Sequence, residues 1–216
     1  RVGQVAGFAR SASLTCVSSP EARDAALPPL ATRVVVGLAA LTLALHLVVN
    51  LVTPYGFHRD EFLYLAMGRH LSLWRMDFPP FIAIVAEAVR ATLGSSLFAV
   101  RFMPAVAGTT LVVLGALLGR EMGGGRPAQL LAALYVLCNV LFLRAASLFQ
   151  PVVLDQVWWA LVFLTLARLA RTGAPRWWIV LGVVAGLGLL TKWSILFVGF
   201  GVLVGLAATP LRRSLL

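Results

Sequence analysis

Acidic residues are what this chain has least of. Only 8 Asp and Glu stand against 18 Lys and Arg, and charged residues make up 12% of its 216 positions. Soluble domains carry about 25%, so composition argues against a water-soluble globular domain. Cysteine is nearly missing too. Cys16 lies in the polar N-terminal stretch and Cys138 inside an apolar run, too few and too badly placed for a disulfide framework or a metal site. The basic residues never cluster on one polar face. They fall in ones and twos between apolar runs, so the net charge of +10 reads as a topology signal and not as a nucleic-acid surface.

Apolar surface is what the chain has in quantity. Hydrophobic residues reach 60% and the mean hydropathy is +0.93. Several runs of about 15 to 20 residues carry almost no charge, the mark of transmembrane helices. The first, 34–52, is too long and too poor a match to a cleavage site for a signal peptide. Ahead of it, residues 1–33, with Pro20, Pro28, Pro29 and scattered serines, read as a disordered cytoplasmic tail. Further spans are expected at 97–118, 128–143 and 152–169. The run 177–208 is too long for one crossing of a core about 30 Å thick. It reads as a hairpin of two short spans turning at Thr191-Lys192-Trp193-Ser194. The pairs Gly182/Gly186 and Gly201/Gly205 are expected to let those helices pack closely.

The arginines set the orientation. Segment 81–93 is apolar but short, and it holds Glu87 and Arg90. If it lies in the interface, then Arg33, Arg120, Arg126, Arg168, Arg171 and Arg176 all fall on the inner side, as the positive-inside rule requires. The expected fold is therefore an all-α integral membrane protein of about six transmembrane helices, with both ends inside. Its transmembrane domain would run over 34–213. An outer loop over 53–96 would carry interfacial helices, the first with Leu63, Met67 and Leu71 on one stripe.

That outer loop gathers three of the eight acids, Asp60, Glu61 and Asp77. A carboxylate at the membrane surface can take a proton from an acceptor hydroxyl or amine. The same two adjacent acids also suit the N-terminus of a helix, through its dipole. Asp155, one turn into the fourth span, is costly in a bilayer unless it faces a cavity or a partner; it also suits a helix start behind Pro151. Lys192, at the hairpin tip, can snorkel to headgroups or contact a phosphate. His58 and His70 with Glu61 and Asp77 show no metal-ligand spacing, so no metal or other cofactor is expected. Gly119–Gly125 lacks the Lys-Ser/Thr of a P-loop and is read as a turn.

With these residues in place, the chain resembles the N-terminal portion of bacterial glycosyltransferase family 39 proteins. That family belongs to the GT-C superfamily, with the protein O-mannosyltransferases and the lipid A aminoarabinose transferase. Tyr55-Gly56-Phe57-His58-Arg59-Asp60-Glu61, Tyr64-Leu65-Ala66 and Gly68-Arg69-His70 are similar to its first-loop signature. Asp77-Phe78-Pro79-Pro80 matches the next motif with Phe78 in place of the usual His, and Leu189–Ser194 follows the later pattern. The resemblance implies an inverting membrane transferase of the bacterial inner membrane, with its catalytic loop on the periplasmic face. It would move a sugar from a polyprenyl-phosphate donor to a lipid, glycan or protein acceptor. Asp60 would be the catalytic base and Glu61 its neighbour. Tyr64, Asp77, Asp155 and Lys192 would bind substrate, with Arg59 and Arg101 among the outer-face cations; Arg69 and Arg144 are further candidates. A polyprenyl phosphate leaves without a general acid, so a base and phosphate-holding cations suffice. The resemblance also implies further spans and an outer domain beyond Leu216. Two other readings remain at this point, a non-catalytic lipid-carrier transporter and an inactive fragment. The sequence has no inverted repeat with matching broken helices to favour the transporter.

Overall fold

The computed structural model describes residues 27–72 and 78–208. Among them there are helices and loops and no strand. The helices are α1 (Thr32–Val52), α2 (Arg59–Arg69), α3 (Phe81–Thr92), α4 (Leu97–Glu121), α5 (Arg126–Cys138), α6 (Val140–Ala146), α7 (Pro151–Thr172), α8 (Arg176–Thr191) and α9 (Ile195–Ala208). The expectation for Asp77, and for the tail over residues 1–26, lies outside the described residues.

Helix α1 shows which solvent the chain is built for. Its polar residues Thr42, His46 and Asn50 recur every fourth position and are buried, while Val36, Leu41 and Val48 point outward. A water-soluble helix shows the reverse pattern. An apolar exterior with the few polar groups turned inward is what a lipid environment selects.

Those groups face α4, the central helix, which touches α1, α3, α5, α6 and α7. Its buried side is rich in small residues, including Ala99, Ala105, Ala107, Gly108 and Ala116. Lipid tails are as apolar as leucine, so membrane helices gain little by hiding apolar surface from one another, and small residues that allow close approach do the packing. Ser96 starts α4 by accepting the Ala99 N–H at 3.2 Å, a side-chain cap.

Three helices are long and apolar enough to span a membrane, α1, α4 and α7, and α5 with α6 makes a fourth as one bent span. The span expected at 128–143 falls on this pair, broken at Asn139. The chain bends by 61° between α5 and α6. At the bend Asn139 adopts an extended conformation, and its Oδ1 accepts the Leu141 N–H at 2.9 Å to open the second helix. Neither Pro nor Gly marks the break. Helices α8 and α9 are 16 and 14 residues long and meet at Lys192–Ser194, the hairpin expected there. The glycine pairs expected to pack them do not seat them on each other, however. A methyl group added at Gly182, Gly186 or Gly201 would meet nothing within 4 Å. The hairpin is held from α7 instead, where the indole N–H of Trp158 donates to Thr191 Oγ1 at 2.7 Å and that of Trp159 to Ser194 Oγ at 3.3 Å.

The bundle has two chemically distinct ends. At one, Arg168 and Arg171 donate to Glu121 at 3.2 and 2.7 Å and Arg120 Nε donates to the Pro28 carbonyl at 2.8 Å. Arg168 and Arg176 also lie over the Trp177 ring, 5.2 and 5.8 Å from its centroid. At the other end sit α2, α3 and the α8–α9 turn. Helices α2 and α3 are only 11 and 12 residues long, too short to cross. They lie packed on one another through Tyr64, Ile82, Ala86 and Val89.

The tightest helix contact makes a prediction. A Cβ at Gly108 would overlap the Cβ of Ala146, so Gly108→Val should cost about 1–3 kcal/mol and lower the unfolding temperature in detergent. Gly186→Ala, into open space, should leave it unchanged or slightly higher.

Candidate active site

The chain enters α2 through a reciprocal cap. The His58 ring Nδ1 accepts the Asp60 N–H at 3.3 Å, and the Glu61 carboxylate accepts the His58 N–H at 2.7 Å. Caps of this kind satisfy the open N–H groups of a first helical turn. The same turn fixes which way the two acids point. Successive helical residues diverge by about 100°, so Asp60 and Glu61 cannot serve one pocket. They separate into two environments.

Glu61 is fully buried. Its carboxylate accepts from Arg101 Nε at 3.0 Å, from Arg101 Nη2 at 2.9 Å and from the Phe149 N–H at 2.9 Å, besides the His58 N–H. Arg101, itself buried, also donates to the Gly56 carbonyl at 2.9 Å. Its own backbone carbonyl accepts the Asn50 Nδ2 at 3.3 Å. The pair thus ties α2 to α4, to the loop before α2, to the loop before α7 and to the end of α1. Burial pushes the Glu61 carboxyl up, but the hydrogen bonds and charge of Arg101 and the Phe149 and His58 N–H groups outweigh it, and the group sits below the usual carboxylate range.

Asp60 faces the other way and stays about one-third exposed. Its carboxylate accepts from Gln150 Nε2 at 3.1 Å and, through the other oxygen, from Arg59 Nε at 3.4 Å. Arg59 itself is almost wholly exposed. Tyr64, one turn on, packs edge-on to Phe78 with 6.0 Å between ring centroids. Burial and the neighbouring Asp60 charge push its phenol up.

Gln150 is the residue that joins Asp60 to the membrane helices, since it immediately precedes Pro151 at the start of α7. Asp155 lies five residues further along, about 7.5 Å at 1.5 Å per residue. It is buried and accepts the Ser194 hydroxyl at 2.6 Å. The Trp159 indole donates to that same hydroxyl, so α7 and the α8–α9 turn share one hydrogen-bonded unit. Lys192, in that turn, is exposed and acts electrostatically on Asp155. The ring of Phe81 at the start of α3 stacks edge-on against Trp158 at 5.5 Å, closing the interval between α3 and α7.

Below Asp155 an apolar groove of about 610 Å³ runs along α4, the α5–α6 bend and α7. Asp155 and Gln156 line it with Tyr135, Phe142, Trp159 and Phe163. The Gln156 Oε1 is buried there without a hydrogen-bond partner.

The fold therefore brings Asp60, Tyr64, Asp155 and Lys192 to one end, around Gln150 and the α8–α9 turn. Arg101 is at that end but is spent on Glu61. Arg69 and Arg144 are exposed. Among the described residues no three His, Cys, Asp or Glu side chains come together as a metal site. Gln150, Ser194, Thr191 and the Phe149 N–H are site residues that sequence reasoning missed. Thr191 and Ser194 were visible only as part of the expected turn around Lys192.

An apolar bundle with an acid-bearing platform of short helices at one end, above an apolar groove, is the arrangement of a multi-pass membrane protein. A family model, that of the dolichyl-phosphate-mannose-protein mannosyltransferases, matches residues 77–216. That is more than half of the chain, and the chain belongs to this family, whose members are membrane glycosyltransferases of the GT-C type. The matched stretch holds Arg101, Asp155 and Lys192 and begins downstream of Asp60. No curated protein and no solved structure matches the chain.

The buried pair generates the site's prediction. Arg101→Ala leaves a buried carboxylate without its partner, which costs about 3–5 kcal/mol, and should lower the unfolding temperature more than Arg59→Ala. Because the folded Glu61 carboxyl lies below its unfolded value, its contribution is complete above the unfolded value and fades as pH falls through the folded one. Stability against pH, compared for the parent and Glu61→Gln, should therefore converge in acid and diverge towards neutrality.

Proposed function

We propose that this chain is part of an inverting glycosyltransferase that moves a sugar from a polyprenyl-phosphate donor to an acceptor hydroxyl or amine, with Asp60 as the base. The observation that carries the reading is the division of labour between the two adjacent acids. Glu61 is saturated by four donors, whereas Asp60 is left accessible, with Gln150 and Arg59 beside it. A base must reach the proton it removes, and only Asp60 can be reached.

In the proposed step the acceptor oxygen or nitrogen attacks the anomeric carbon from the face opposite the phosphate. Its proton passes to Asp60, the bond from the anomeric carbon to oxygen breaks, and the polyprenyl phosphate departs with the electron pair. No acid is needed, because the phosphate is a good leaving group; cations that stabilise it are. In this reading Lys192 and Arg59 supply that charge. Asp155 orients the turn that carries Lys192 through Ser194, and Glu61 and Arg101 position the α2 N-terminus without reacting. The polyprenyl chain is assigned to the apolar groove of about 610 Å³ below Asp155. Tyr64 and Asp77 are assigned to the acceptor side. On the positive-inside rule the Asp60 end faces outward, periplasmic in a bacterial inner membrane. The tail over 1–33 is then cytoplasmic, and the loop over 53–96 is the catalytic platform.

Asp60→Asn, in membranes holding the full-length protein, should reduce sugar transfer from a polyprenyl-phosphate donor by about 10²–10⁴-fold with unchanged thermal stability. Transfer at the parent rate would sink the assignment, and a loss of rate that only mirrors a loss of folded protein would move the role from catalysis to structure. Glu61→Gln should lose folded protein first.

A further inference from the structure

A second cavity, at the opposite end of the bundle from Asp60, has a composition suited to a different ligand. It encloses about 630 Å³ between the start of α1 and the start of α5, and its walls include Leu30, Thr32, Arg33, Val34, Arg126 and Leu130. Both guanidinium groups are on its rim and, among the described residues, neither pairs with a carboxylate. No acid lies in the first turn of either helix, and neither start has a side-chain cap.

The walls are held in place. Gln129 is fully buried; its Oε1 accepts the Ala31 N–H at 2.9 Å and its Nε2 donates to the carbonyls of Pro29 and Gly124 at 3.2 and 3.0 Å. With Arg120 on the Pro28 carbonyl, these bonds fasten the segment before α1 onto α4 and α5. These bonds set the backbone that carries Arg33 and Arg126, whose exposed side chains line the cavity.

We propose that this cavity binds the headgroup of an anionic phospholipid. The charge balance demands a ligand with negative charge, and two forked guanidinium groups match a phosphate diester. The apolar part demands an amphiphile. Leu30, Val34 and Leu130 supply that apolar wall, which suits an acyl chain and not a soluble anion. This inference is independent of the role of Asp60.

The test is native mass spectrometry of the full chain released from mixed micelles holding phosphatidylglycerol and phosphatidylcholine in equal amounts. One phosphatidylglycerol should be retained in preference. The preference should fall at least tenfold in Arg33→Gln/Arg126→Gln and persist in Arg144→Gln, a cation at the other end. Thr32→Glu, which puts a carboxylate where a helix start favours one, should fold normally and displace the lipid. Equal retention of both lipids by the parent chain overturns the proposal, as does a preference that survives in both the double variant and Thr32→Glu. Loss of the preference on adding millimolar inorganic phosphate would make the site a free-anion site and overturn the lipid assignment as well.

Discussion

The buried ion pair between Glu61 and Arg101 is the constraint on which the Asp60 end of this molecule depends. Without it, α2 would be an amphipathic helix free to slide on the membrane surface. With it, the first turn of α2 is locked to α4, and the loops carrying Gly56 and Phe149 are drawn to the same point. Burying a carboxylate and a guanidinium costs several kcal/mol per ion unless the remaining polar atoms are also satisfied. Here both the carboxylate oxygens and two guanidinium nitrogens have partners. The consequence for function is indirect and strong. Fixing Glu61 inward obliges Asp60 to face outward, towards Gln150 and the head of α7.

The two ends of the bundle then divide the work. One end holds a carboxylate within reach of the surface, a cationic turn and an apolar groove leading down from Asp155. The other holds the arginines that set orientation, with Glu121 as the single acid accepting from two of them. Helix α4 connects the ends, and it can do so because its small residues admit α1, α6 and α7 at close range. The bend at Asn139 adds width between α5–α6 and α7, and Tyr135 and Phe142, on either side of the bend, both line the groove.

Much of this was legible in the sequence, for physical reasons that differ from element to element. The spans follow from length and hydropathy, and the Lys192 turn follows from a run too long for one crossing. The two short helices follow from the helical spacing after Asp60 and from the shortness of 81–93, but the expected stripe does not: α2 ends at Arg69 and buries Glu61, Tyr64 and Gly68, while Leu63 and Leu71 are exposed. The bend at Asn139 was not legible, because a single Asn inside an apolar run caps a new helix only when the neighbouring helices leave room for it. The glycine pairs misled for the converse reason: small residues permit close packing but do not compel it, and α7 holds the hairpin through two indoles instead. At the site, adjacency suggested that Asp60 and Glu61 act together. Helical geometry separates them, and the partner that claims Glu61 lies forty residues away, beyond the reach of any local pattern.

The measurement that bears most directly on this account is carbodiimide labelling of carboxylates in intact membranes, located by tandem mass spectrometry across the Asp60-Glu61 bond. The account predicts that Asp60 is modified and Glu61 is not, and that a polyprenyl-phosphate sugar protects Asp60. Modification of Glu61 with Asp60 spared would contradict it.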